Sequence, residues 1–116
     1  MKNLLLATAL LMITATSFAS DAVCIGKLAG EPAKISITGT EGDMVKVSIK
    51  LADSTLRGTG VVIENKDVGY AITSIITSDG EALLLKINIS RDFSTSSAVL
   101  TQGSKVSRSK LACVKN

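Results

Sequence analysis

Few side chains in this 116-residue sequence could carry chemistry, and their types narrow what that chemistry could be. There is no His and no Trp, so the usual general base and the imidazole metal ligand are both missing. Acid–base work would fall to carboxylates, which occur as Glu41 with Asp43, Glu64 with Asp67, and Asp79 with Glu81. Paired carboxylates can hydrolyse glycosides or hold calcium. Each of these pairs, however, lies in a turn-forming cluster, where Asp is favoured for hydrogen bonding to local backbone, and none has the EF-hand spacing. The sequence therefore gives no expected catalytic, cofactor-binding or metal-binding residue, and an enzyme working through carboxylates, Lys or Tyr is a remote alternative. Cations cluster late: after Asp92 no acidic side chain follows, while Lys105, Arg108, Lys110 and Lys115 do. That run is a candidate anion-binding surface for lipid headgroups, a cell-wall polymer or an acidic protein. The competing reading is that lysines on a terminal strand deter edge-to-edge pairing. A formal net charge of +3 is too small to call for nucleic acid as a partner.

Arg57-Gly58-Thr59-Gly60-Val61-Val62-Ile63, followed by Gly69-Tyr70-Ala71-Ile72-Thr73, is similar to the first hairpin of trypsin-like periplasmic serine proteases. The resemblance implies a strand pair leading to a catalytic histidine. Ile76 occupies that position, and no G-[DN]-S-G nucleophile motif follows. A triad without its base cannot activate a serine. The residues themselves read as a glycine-bulged hairpin, with a β-bulge at Gly58-Thr59-Gly60 shifting the core-facing parity between Leu56 and Val61.

Two cysteines, Cys24 and Cys113, bracket most of the chain. Met1-Lys2-Asn3 followed by an apolar run from Leu4 and small residues at Ser17 and Ala19 has the form of a secretion signal, with cleavage expected after Ala19. The run is shorter than the roughly 20 residues that span a bilayer, so no transmembrane span is expected. Asp21-Ala22-Val23 before Cys24 does not match the lipoprotein pattern. An exported chain meets an oxidising compartment, so Cys24 and Cys113 are expected to form one disulfide within a single β domain, residues 20–116.

The elements that must position these residues follow from alternation. Ile35 and Ile37, then Val45, Val47, Ile49 and Leu51, then Leu83, Leu85, Ile87 and Ile89 recur with a period of two, and no segment of helical length carries a 3.6-residue stripe. About eight short strands are expected, at 22–28, 33–38, 44–51, 56–63, 69–77, 82–89, 97–101 and 110–115. Short connections and terminal strands tied by a disulfide favour an all-β antiparallel meander, closed or nearly closed into a small barrel; a β-sandwich is the alternative.

Register can be read from two turns. A type I′ hairpin at Asp79-Gly80 sets Ile76 against Leu83, Ile72 against Ile87 and, on the other face, Ile75 against Leu84. A four-residue loop from Asn65 to Val68 sets Ile63 against Tyr70 and Val61 against Ile72 inside, leaving Val62 against Ala71 outside. On that register Val62, Ala71, Ile75 and Leu84 form an outward apolar strip, a candidate partner surface or homodimer contact. Taken together, the sequence suggests an exported, periplasmic or secreted, non-enzymatic binding or inhibitory module. It would act on an envelope component or another exported protein, with a structural envelope-associated role as the alternative.

Overall fold

Alternating apolar residues become eight strands joined by short links: β1 (Ala22–Leu28), β2 (Glu31–Gly39), β3 (Met44–Lys50), β4 (Thr55–Asn65), β5 (Gly69–Ser78), β6 (Glu81–Ser90), β7 (Ser96–Gln102) and β8 (Lys105–Lys115). The computed structural model describes residues 21–116, and the expected signal segment 1–19 lies outside the described residues. Each strand pairs antiparallel with the next, and β8 pairs back onto β1, so the sheet is a closed meander barrel and not a sandwich. Following hydrogen-bonded partners once around returns to β1 about ten residues from the starting point, the stagger of strongly tilted strands.

The inward face explains the closure. Ile35, Ile37, Val45, Val47, Ile49, Ile72, Ile76, Leu85, Ile87 and Ile89 are at most 1% exposed and fill the interior. An eight-stranded barrel is just wide enough for its own side chains to do so. Leu51 and Leu56 pack against this core near one end of the barrel. Tyr70 and Phe93 pack against it near the other, with ring centroids 6.0 Å apart. Cys24 and Cys113 sit directly opposite one another on β1 and β8, point inward, and are joined by a disulfide at the seam.

The Asp79-Gly80 turn has positive φ at both positions, 50° and 81°, as a type I′ link requires, and Ile76 faces Leu83 as expected. The preceding hairpin differs by one residue. The Asn65 side chain accepts hydrogen bonds from the amides of Asp67 and Val68, and Asn65 itself pairs with Gly69, so three residues form the loop, not four. Ile63 therefore faces Ala71, and Val62 faces Ile72. A slip of one exchanges the faces of a strand. Val62 is buried at 5% exposure, while Val61 and Ile63 are exposed.

The expected β-bulge is absent too, because β4 keeps one register with β3 and with β5 throughout. Leu56, Gly58, Gly60 and Val62 share the inward parity without a slip. A β-carbon at Gly60 would overlap the Thr73 carbonyl oxygen and the Ser74 side chain. These glycines let β4 curl tightly against β5. Beside Gly60, the buried Ser74 hydroxyl donates to the Leu85 carbonyl at 3.3 Å. β8 begins five residues before its expected start at 110. Ser107 and Ser109 occupy inward-parity positions there, and polar residues on that face hide the period-two signal.

Candidate functional site

With the interior filled, the surfaces left for recognition are the outer wall and the two ends. Charge is divided between them. Among the described residues, every Asp and Glu lies in a loop, before β1, or within two residues of one end of a strand, so the carboxylates ring the ends. The outward positions of the strands carry no carboxylate. They do carry Lys27 on β1, Lys34 on β2, Lys46 and Lys50 on β3, Arg57 on β4, Lys86 on β6, and Arg108 and Lys110 on β8. Acidic ends and a basic wall are thus built into the strand alternation.

The expected anion-binding run is split by this geometry. Lys105 and Lys115 open and close β8 and lie about 33 Å apart at opposite ends of the barrel. Arg108 and Lys110 share the outer face, opposite Val99 and Ser97 on β7, with Lys86 beyond Val99 on β6. The edge-protection reading of these cations does not apply, because a closed barrel has no free edge.

The expected apolar strip is redrawn. Ala71, Ile75 and Leu84 do face outward, and Ile75 pairs with Leu84 and is 58% exposed. Val62 does not belong to the strip. Its place is taken by Val61 and Ile63, with Met44 across from Val61 and Val68 in the adjoining loop, all exposed.

The carboxylate pairs remain at turns. Thr40 donates its amide to the Met44 carbonyl across the Glu41–Asp43 loop. Asp92, in the β6–β7 loop, accepts the Ser94 hydroxyl at 2.6 Å, the Ser94 amide at 3.0 Å and the Ser90 hydroxyl at 3.0 Å. Those donors hold its carboxyl below the usual range, the Ser94 hydroxyl most strongly. This is turn architecture. No group of three or more His, Cys, Asp or Glu close enough to hold a metal occurs among the described residues.

One arrangement lies outside the expectations drawn from the sequence. On the outer face of β2, β3 and β4, a shallow groove is lined by Ser36, Thr38, Lys46, Ser48, Arg57 and Thr59, together with Val47 and Gly58. The signal was present in the polar half of the alternation, Lys34-x-Ser36-x-Thr38 and Lys46-x-Ser48-x-Lys50. Extending the register argument across the Thr40–Asp43 turn would have brought those residues together.

The fold and surface define a class: a closed, side-chain-filled antiparallel meander barrel with an internal seam disulfide and a basic outer wall. Comparison with protein-family models and with curated proteins finds no match to this chain.

Proposed function

We propose that this barrel is an exported binding module, acting on an envelope component or another exported protein through its outer wall. The observation that carries this reading is the filled interior. Ligand-binding barrels of this strand number hold one small ligand inside, whereas here isoleucine, leucine and valine side chains occupy that space. The disulfide is compatible with an oxidising compartment. The wall is also the reverse of a lipid-facing barrel surface, since it carries lysines and arginines around an apolar interior.

Photo-crosslinking in the native compartment tests this reading, with a photoreactive residue placed at Ser48, Ile75 or Ser97 on the wall, or at Asp79 at one end. The expected result is discrete adducts from at least one wall position and few from Asp79. Recovery of the chain with two free thiols, or no adduct from any wall position, would overturn it. A second reading, a structural component that assembles with itself, is favoured by the charge division, because the acidic end of one copy complements the basic wall of another. Sedimentation of the purified chain at low and high salt separates the two: self-assembly requires large species at low salt that dissolve as salt rises.

A further inference from the structure

The outer faces of β2, β3 and β4 form a grid. Across the strands, one row reads Lys34, Lys50, Thr55; the next reads Ser36, Ser48, Arg57; the third reads Thr38, Lys46, Thr59. Every row contains a cation, every other position is a hydroxyl, and the second and third rows line the shallow groove. Lys34 and Lys50 are direct cross-strand neighbours, an arrangement of like charges that destabilises a sheet. None of the grid's cations has a carboxylate within ion-pair distance among the described residues. Edge protection does not explain them, since these strands are paired on both sides. The repulsion is relieved when something anionic lies across the three strands.

We propose that this grid binds an extended acidic polysaccharide, a partner consistent with the binding role argued above and resting on it. The grid measures about 10 Å across the strands and about 13 Å along them, enough for a short stretch of such a chain. Its chemistry combines the two kinds of partner that such a polymer needs. Lys and Arg meet carboxylate, sulfate or phosphate groups, and Ser and Thr meet sugar hydroxyls. The other polyanions fit less well. The grid has no aromatic side chain on which single-stranded bases could stack. None of its nine outward side chains is apolar; exposed apolar residues border it, with Ile25 paired to Lys34, Ile75 paired to Thr59, and Met44 and Val61 next along β3 and β4, but none lies within it to enter a membrane interface. A protein partner would call for an apolar side chain at the centre, where the grid has Ser48.

The test uses the purified, disulfide-bonded chain with labelled heparin and labelled polygalacturonate as sulfated and carboxylated probes. Dextran, a single-stranded oligonucleotide and phosphatidylglycerol vesicles are the comparators. The expected result is binding to at least one acidic polysaccharide, none to dextran, and loss of binding as salt rises. Replacing Lys50→Glu together with Arg57→Glu should weaken binding by about tenfold or more, and Ser48→Ala by about twofold. Arg108→Glu with Lys110→Glu, the same change in net charge on the opposite wall, should alter it by less than about twofold. Should the first double variant fold poorly, Lys50→Gln with Arg57→Gln serves, with circular dichroism as the check on folding. Equal losses in the two double variants would reduce the effect to net charge and overturn the proposal. So would preference for the oligonucleotide or vesicles, absence of polysaccharide binding at low salt, or self-association that grid reversal abolishes. Polysaccharide failure with crosslinks at Ile75 or Ser97 removes the grid and spares the binding role, whereas no wall adduct anywhere removes both.

Discussion

At the seam between β8 and β1 the barrel is closed by a covalent bond, whereas on the opposite side β4 and β5 are drawn together by leaving side chains out. The seam joins Cys24 to Cys113 across a sequence separation of 89, so the unfolded chain loses much freedom in bringing them together. Strands β4 and β5 are joined by a three-residue loop and meet at little entropic cost. Their difficulty is curvature. Inward Gly58 and Gly60 lie against the backbone of Ile75 and Thr73, where any β-carbon would overlap it. Closure over a long span calls for a constraint on the unfolded state, and tight coiling over a short span calls for absent atoms in the folded one.

The largest expected effect breaks the seam. Replacing Cys24 and Cys113 by Ala should cost on the order of 4 to 5 kcal/mol by the chain-entropy argument, comparable with the whole stability of a small domain. Denaturant unfolding of the oxidised, reduced and double-Ala forms measures it. A double-Ala barrel within about 1 kcal/mol of the oxidised protein would show that closure rests on packing and strand pairing alone.

The opposite side should respond less, and through the folded state. Gly60→Ala places a β-carbon about 2.7 Å from that of Ser74 and against the Thr73 carbonyl. The expected loss is roughly 2 to 3 kcal/mol, as for an overpacked core. The outward neighbour Thr59→Val should change stability by less than about 0.5 kcal/mol. Equal melting temperatures for wild type and Gly60→Ala would remove the close approach as the reason for glycine.

These two regions also mark what the sequence made legible. The disulfide, the closed meander and the Asp79-Gly80 hairpin follow from cysteine arithmetic, short links and a two-residue turn whose geometry admits one register. The β4–β5 hairpin is ambiguous in the sequence because Asn65 can either end a strand or cap its own turn, and its side chain does the latter by taking the Asp67 and Val68 amides. The glycines leave both registers open, since an inward glycine gives no hydrophobic mark and a missing mark has the same pattern as a bulge. The same blindness hid the start of β8 behind Ser107 and Ser109. It also hid the cationic grid, whose members declare themselves only when polar positions on three strands are placed side by side.

The smallest effect is the sharpest check on that register, because Val62 and Ile63 exchange roles between the two pairings. With Val62 facing Ile72 inside, Val62→Thr buries a hydroxyl in the apolar interior at nearly constant volume and should cost about 1 to 2 kcal/mol. Ile63 is 65% exposed on the outer face, so Ile63→Thr should cost no more than about 0.5 kcal/mol. Reading the two in urea keeps the comparison clean, since neither substitution introduces charge, alters the disulfide or touches the Asn65 turn. The opposite ranking would place Ile63 in the core and restore the four-residue loop. It would return Val62 to the outer strip beside Ala71. A bulge would then be needed near Gly58 to keep Leu56 inside, and the close approach at Gly60 could no longer account for the curl of β4.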